Sequence, residues 1–400
     1  MVSASNDVLV EKARISSIDT VRGLVMVIMA LDHVRDYFHV DAFNFDPTDL
    51  ERTTPALFFT RWITHICAPT FVLLSGVSAR LGLERKTKKE LSFHLLTRGL
   101  WLIVLELTVI RFGLLFNFYY DFTLFLVIWV IGLSMVILAA LIHLGERAVL
   151  ITGLILVFGH NAFDDMRLQP GDPGFALWSF VNQAGLVQVS TDRFFLVPYA
   201  LIPWLGIMLT GYGIGVWFTR SFDAGKRSTY LLRAGVFSLL LFLVLRFINV
   251  YGDPAPWTPQ KNAMFTVLSF LKCTKTPASL LFTLMTLSLT CLLLWLMERS
   301  KKLNFKPLIV FGRVPLFYFI LHFYLAHFFS LVFLMSSKGI SFSEIDFHFT
   351  AGFGGIPPNT GVTLPWVYVV WIGVVLLCYP ICKKYDEFKS TRNYWWLSYF

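Results

Sequence analysis

The chain has 400 residues, of which 56% are hydrophobic and only 15% are charged, and its formal net charge is +9. This composition excludes an ordinary water-soluble protein and predicts a chain that crosses a membrane several times. The positive charge does not indicate nucleic-acid binding, because the lysines and arginines are dispersed between apolar runs, as membrane topology requires. The five cysteines are scattered without metal-ligand spacing, so we expect neither a metal site nor a disulfide framework.

Apolar runs long enough to cross a bilayer recur along the chain. We predict ten spans, at 20–38, 57–79, 95–116, 122–143, 147–162, 195–218, 230–250, 277–298, 311–335 and 364–384. The expected fold class is all-α: a polytopic integral membrane bundle that forms one transmembrane domain over residues 1–400. Residues 1–18 would be a polar N-terminal segment and residues 385–400 a basic, Trp-rich interfacial tail. Lys and Arg are enriched on the side of the N-terminus, which predicts that both termini are cytoplasmic.

The first span, from Ile18 to Phe38, carries ionisable side chains at membrane depth. Arg22 and His33 are eleven residues apart, so they project from one helix face about 16 Å apart along the axis. Asp36 follows His33 by three residues on that face. A histidine beside a carboxylate is typical of a general base whose tautomer is held by its neighbour. The alternative is that the charged residues lie at helix ends and His33 packs against another helix.

Two further histidines are predicted at a depth that His33 can reach. Arg61 and His65 are four residues apart in the second span, and Pro69, four residues further on, predicts a kink that frees a carbonyl near His65. The ninth span carries His322 to the middle of the membrane. We predict that His65 or His322 positions an acceptor or a thioester, and a purely structural role stays open for both.

Four cationic residues are predicted at the cytoplasmic ends of helices. They are Arg22, Arg98, Lys306 and Arg313. Because a guanidinium group contacts phosphate oxygens in pairs, this group of cations predicts the binding site of a phosphorylated cytosolic donor.

Polar residues also collect at the outer ends of the fifth and seventh spans. They are His160, Asn161, Asp164, Arg246, Asn249 and Asp253. We predict that they bind the hydroxyl groups of an acceptor at the outer surface. For Asn161 and Asp164, ordinary loop capping is an equal alternative.

The D-x-x-R-G run at residues 19–23, followed by the spacing from Arg22 to His33, resembles the first helix of the transmembrane acyltransferase superfamily. Within that superfamily the chain is most similar to bacterial members of the heparan-alpha-glucosaminide N-acetyltransferase-like group. Supporting runs are R-W-I-T-H-I-C-A-P-T-F around His65, F-G-R-V-P-L-F around Arg313 and Y-G-D-P-A-P-W around Asp253.

The resemblance implies an acyltransferase of the bacterial inner membrane. It would move an acetyl or other acyl group from acetyl-CoA, or another acyl-CoA, to a carbohydrate or lipid-linked acceptor on the outer side. His33 would be the general base or an acyl relay, and no metal is expected. The lipid bilayer surrounds the protein, and an oligomer is possible.

One departure concerns the acceptor. In the animal glucosamine acetyltransferase of this group, the histidine usually discussed as catalytic lies in a His-x-x-Trp-Asn-Gly stretch between the first two helices. This sequence has no such stretch, so the aminosugar substrate of that enzyme does not simply carry over. Two other function classes stay open. The first is a proton-coupled transporter or export protein that uses the same intramembrane residues, although we find no internal repeat that favours it. The second is a non-catalytic scaffold in which the polar residues join helices.

Overall fold

A computed structural model describes residues 15–300, 305–392 and 394–399, and most of these residues are helical. The predicted polar segment at 1–18 lies largely outside the described residues. The helices are α1 Ser16–Phe38, α2 Pro55–Thr64, α3 Cys67–Gly82, α4 Lys88–Leu105, α5 Arg111–Leu115, α6 Val127–Leu141, α7 Glu146–Gly159, α8 Phe175–Trp178, α9 Leu201–Ile214, α10 Ala224–Ile248, α11 Ala263–Leu271, α12 Leu280–Arg299, α13 Lys306–Arg313, α14 Pro315–Lys338 and α15 Leu364–Thr391.

Nine helical segments within the described ranges are long and apolar enough to cross a membrane. They are Pro55–Gly82, Lys88–Leu115, Val127–Leu144, Glu146–Phe163, Leu201–Phe218, Ala224–Ile248, Leu280–Arg299, Pro315–Lys338 and Leu364–Thr391. Helix α1 adds a further helix of membrane length, with 23 residues, and differs from the others in its charged side chains. The predicted all-α polytopic bundle of about ten spans is therefore confirmed, and the chain is an integral membrane protein.

Helix α1 lies at the centre of the bundle and packs against α2, α3, α12, α13, α14 and α15. Two glycines bring it into backbone contact with α13. A Cβ atom on Gly23 would lie 1.8 Å from the carbonyl oxygen of Leu308, and a Cβ atom on Gly312 would lie 1.8 Å from that of Asp19. Such close packing requires residues without a side chain. It brings Arg22, next to Gly23, beside the helix that ends in Arg313.

The second membrane segment is broken at His65 and Ile66, where α2 ends and α3 begins. The cause lies at Pro69, which has no backbone N–H to donate to the carbonyl of His65 four residues earlier. The predicted kink near His65 is confirmed. The break places His65 at a junction between two short helices.

The two ends of the bundle differ in character. We call the end at which α1 begins the basic end, because lysines and arginines collect there at helix ends and in connections, among them Arg85, Lys86, Lys88, Lys89 and Arg220. We call the opposite end the loop end. It carries the long connections at 39–54, 116–126, 164–200, 249–279 and 339–363.

A small sheet lies within the loop-end connections. Strand β1 is Phe122–Leu124, β2 is Gly185–Ser190 and β3 is Arg193–Val197. The order is β1-β3-β2, with β1 parallel and β2 antiparallel to β3. The sheet therefore ties the connection before α6 to the connection before α9.

Candidate functional site

His33 of α1 and His322 of α14 form a hydrogen-bonded pair. Nδ1 of His33 lies 2.7 Å from Nε2 of His322, and Nδ1 of His322 lies 2.9 Å from the carbonyl oxygen of Tyr318. A carbonyl oxygen can only accept, so Nδ1 of a neutral His322 carries the proton and its Nε2 accepts. His33 must then donate from Nδ1, which leaves the lone pair of its own Nε2 free.

Nε2 of His33 is open to an incoming group. His33 is half-buried, and its Nε2 has no hydrogen-bond partner among the described residues. The ring of Phe323 stacks on the imidazole at 3.9 Å, and Phe319 meets it edge-on at 6.1 Å. The ring is thus held by protein contacts on α14, and it presents one unprotonated nitrogen, which is the form that a general base requires.

Asp36 does not hold His33, in contrast to the expectation from their spacing. Oδ1 of Asp36 instead accepts a hydrogen bond of 2.5 Å from Nη2 of Arg35. The neighbouring arginine takes the carboxylate because it is close enough to form a charge-assisted bond. The partner of His33 comes from α14, 289 residues further along the chain.

A buried ion cluster lies beside the histidine pair and was not singled out from the sequence. Asp32 accepts a hydrogen bond from Nη1 of Arg61 on α2, and its Oδ1 lies 3.1 Å from Nη2 of Arg35. Asp32 is 7% exposed and Arg35 is 5% exposed. Opposite charges at matching depth on consecutive antiparallel helices are the sequence signal that could have found this cluster.

His65 lies at the α2–α3 junction, close to the ion cluster. It is buried, its ring meets Phe282 edge-on at 5.4 Å, and its Nδ1 is buried without a hydrogen-bond partner among the described residues. The charges of Arg61 and Asp32 act on it. An unpaired buried nitrogen is costly unless a ligand or water completes it, so His65 is available to bind an incoming group.

Lys275, in the loop before α12, is a second residue that sequence reasoning missed. Its charge acts on Asp32, His33 and His65. Burial, followed by the nearby Arg61, lowers the pKa of Lys275 to about 8, while Asp32 opposes that shift. Lys275 is half-buried, and its Nζ forms no ion pair or hydrogen bond with the described part of the chain. A lysine in a long loop carries no periodic signal, which is why the sequence alone did not point to it.

Three of the predicted substrate-binding residues organise the 249–279 loop. Each directs its polar atoms to that loop itself. The partners are the carbonyl oxygens of Ala255, Ser269, Phe270 and Lys272 for Arg246, the backbone of Trp257 for Asn249, and the hydroxyl groups of Thr274 and Ser279 for Asp253. These bonds brace the loop on both sides of Lys275.

The other three have similar structural tasks. Nε2 of His160 lies 2.8 Å from the carbonyl oxygen of Ala278. Asn161 accepts a hydrogen bond of 2.8 Å from the backbone N–H of Leu280 at the start of α12, and it donates one of 2.7 Å to Asp164. These contacts favour the alternative that Asn161 and Asp164 cap the loop. Substrate binding by the six residues stays a prediction that none of these contacts favours.

The basic end contains a cavity of about 510 Å³ between α1, α3 and α4, which we call the basic pocket. Three of the four predicted donor-binding residues, Arg22, Arg98 and Arg313, line it together, whereas Lys306 does not. The further cationic lining residues are Arg85, Lys86, Arg220 and Lys389. Burial, and next the charge of Arg98, lower the pKa of Lys86, as expected where like charges crowd together.

Acidic groups only partly neutralise the basic pocket. Arg22 lies 3.5 Å from Asp19, and it donates to the carbonyl oxygen of Gly312 at 3.1 Å and to the hydroxyl of Ser78 at 3.0 Å. Asp19 and Glu84 are the acidic residues among its described lining, against seven lysines and arginines. The excess of positive charge suits an anion with several phosphate groups.

The basic pocket does not reach the histidine pair. Its inner wall includes Phe71 and Met135, and His33 is not among the lining residues. Along α1 the distance from Arg22 to His33 is about 16 Å, and Met26 and Met29 in between are buried. A donor held by its phosphates would therefore have to part this apolar layer to reach His33.

A second cavity, of about 360 Å³, opens at the loop end, and we call it the loop-end pocket. Arg35, Asp36 and Arg61 line it together with Asp41 and Asp46. Burial acts to raise the pKa of Asp46, but hydrogen bonds from the backbone and hydroxyl of a threonine outweigh it and hold the pKa below its usual value. Three aspartates and the two arginines of the ion cluster thus line the same cavity, about one helical turn beyond His33.

One protein family matches the sequence. Its profile, described as heparan-alpha-glucosaminide N-acetyltransferase, catalytic, matches residues 14–247. No curated protein sequence matches the chain. The matched range contains α1 to α10 up to residue 247, with Arg22, His33, His65 and Arg98, and it ends before Lys275 and His322.

Proposed function

The chain belongs to the heparan-alpha-glucosaminide N-acetyltransferase catalytic family, a type of membrane acetyltransferase, and we propose that it carries an acetyl group from acetyl-CoA at the basic end to an acceptor at the loop end. One arrangement carries the proposal. Along α1 the basic pocket holds Arg22, the histidine pair holds His33, and the loop-end pocket holds Asp36. A base with a free nitrogen thus lies between a cationic and an acidic cavity.

The donor would bind through its phosphates in the basic pocket. Arg22, Arg98 and Arg313 come from three different helices and converge there. Guanidinium groups bind phosphate oxygens with two parallel hydrogen bonds, so three of them can hold a multiply phosphorylated carrier in one orientation. The thioester arm would pass between α1 and α3 toward His33.

The acceptor would bind in the loop-end pocket. Asp36, Asp41 and Asp46 offer carboxylate oxygens that accept hydrogen bonds from hydroxyl or ammonium groups. Phe43 lines the same cavity with its ring 61% exposed, which offers an apolar face to a sugar ring. These contacts suit a sugar-containing or lipid-linked acceptor.

Transfer would proceed in one displacement. Nε2 of His33 takes the proton from the acceptor N–H or O–H while that atom attacks the thioester carbonyl. The C–S bond then breaks, and the thiolate of CoA leaves and takes up the proton that His33 accepted. Lys275 and Arg61 carry positive charges that act on His33, and they would stabilise the negative charge that develops on the carbonyl oxygen.

The experiment compares His33→Ala and His33→Gln with the wild type in lipid nanodiscs. We expect turnover of radiolabelled acetyl-CoA into acetylated acceptor to fall by at least about 100-fold in both variants, with acetyl-CoA affinity unchanged. His348→Ala, at a half-exposed loop histidine, is the matched control and should retain activity. Wild-type turnover in either His33 variant would refute the assignment, and proton-coupled flux into liposomes without acetyl transfer would favour the transporter class.

A further inference from the structure

Residues 394–399 cross the basic pocket, and we call them the strap. The carbonyl oxygen of Ser398 accepts a hydrogen bond of 2.8 Å from Nη1 of Arg98, and the hydroxyl of Tyr399 lies 3.0 Å from that of Thr97. Leu397 is 4% exposed and lines the pocket together with Ser398. The predicted interfacial tail thus contacts α4 over the cavity.

Arg98 is incompletely satisfied beneath the strap. Its Nε is buried and has no hydrogen-bond partner among the described residues, and its Nη1 is bound to a neutral carbonyl oxygen. A phosphate at the end of the guanidinium would accept from Nη1 and Nη2 at once, and such charge-assisted bonds are roughly twice as strong as those to neutral acceptors. The carbonyl of Ser398 therefore stands where one phosphate oxygen would bind.

The strap is held by contacts with α4 and α15. Ser398 and Tyr399 form hydrogen bonds with α4, and the rings of Tyr394 and Trp396 lie 6.1 and 6.2 Å from that of Phe388. Trp395 is 79% exposed, and the ring of Tyr399 meets that of His94 only at 5.6 Å. Leu397 is the buried anchor of the strap, whereas its other residues are exposed or half-buried, so stronger bonding of a ligand to Arg98 competes mainly with surface contacts.

We propose that the strap is a displaceable cover of the basic pocket, which a phosphate-bearing ligand releases by taking Arg98 from the carbonyl of Ser398. This inference rests on the proposed function, because it takes the basic pocket as the donor site. With the pocket empty, the strap stays on Arg98 and competes with ligand. Apparent affinity is then reduced by the fraction of molecules in which the strap is closed.

The first experiment measures strap position with a thiol reporter. The five native cysteines are buried, so a cysteine introduced as Leu397→Cys is the main target of a soluble maleimide. Adenosine 3′,5′-bisphosphate is the probe, because it has phosphates but no thiol. We expect its binding to accelerate labelling of Leu397→Cys by at least about fivefold. Trp395→Cys, exposed in the same strap, should label at one rate throughout.

The second experiment removes residues 393–400 and measures the Kd of the same probe by calorimetry. We expect the Kd to fall by at least about fivefold, because the competing hydrogen bond to Arg98 is gone. Equal or weaker binding by the shortened chain, or unchanged labelling of Leu397→Cys while the wild type binds the probe, would overturn the strap and leave the donor site standing. Failure of both the wild type and the shortened chain to bind would overturn the proposed donor site together with the strap.

Discussion

Replacement of His322 by phenylalanine tests the tautomer that we infer for His33. His322→Phe keeps a ring of similar size against Tyr318 but removes the nitrogen that accepts from Nδ1 of His33 at 2.7 Å. A buried donor left without its partner costs about 1–3 kcal/mol. If that cost falls on the reactive tautomer, kcat decreases by about 5- to 150-fold.

The assay measures CoA release and acetyl transfer in nanodiscs, with kcat and KM determined separately. His322→Phe should lower kcat and leave the KM for acetyl-CoA unchanged, because the donor phosphates bind about 16 Å away at the basic end. His322→Gln is the matched variant, since its side-chain carbonyl can still accept from His33. We expect it to recover most of the lost activity.

Two outcomes would refute this reasoning. If His322→Phe turns over like the wild type, the pair does not control the nitrogen that takes the proton. If His322→Phe and His322→Gln lose activity equally while their melting temperatures match the wild type, then the accepting atom is not what matters.

Three other changes test the remaining parts of the site. Lys275 loses its charge as the pH rises through about 8, because its pKa is lowered. In pH–rate profiles the activity of the wild type should therefore decline above that pH. The decline should move to higher pH in Lys275→Arg, and Lys275→Met should be slow at every pH. Arg313→Gln should weaken acetyl-CoA binding in a titration, whereas Lys306→Gln, outside the basic pocket, should not. Gly312→Ala places a Cβ 1.8 Å from a carbonyl oxygen of α1 and should cost about 1–3 kcal/mol of stability in thermal melts, whereas Gly373→Ala, with open space, should be neutral.

The first helix and the α2–α3 break show which features of the fold can be predicted from the sequence. Eleven residues between Arg22 and His33 place them about three turns apart on any α-helix, and Pro69 must disturb a bond to the carbonyl of His65. These expectations depend on local geometry alone, and α1 and the α2–α3 break confirm them. Arg22 and Arg313 can be grouped from the sequence because each lies at the same end of a predicted helix, whereas the glycine contacts that bring α1 and α13 together are known only from the structure.

The partners of these residues could not be predicted from local pattern. His33 pairs with His322 rather than Asp36 because the approach of α14 depends on packing across the whole bundle. The polar groups around Arg246 and Asp253 resembled a binding site, yet their hydrogen bonds close a loop. A buried polar group must be satisfied, but its sequence does not say whether protein or ligand satisfies it.

Sidedness is the most direct test of the central claim that the donor enters at the basic end and the acceptor at the loop end. Protein is reconstituted in one orientation in sealed liposomes, and radiolabelled acetyl-CoA is offered to one face with a mixture of saccharide acceptors enclosed on the other. We predict transfer only when acetyl-CoA faces the basic pocket and the acceptor faces the loop-end pocket. Acetylation of the acceptor with donor supplied only at the loop end would contradict the account.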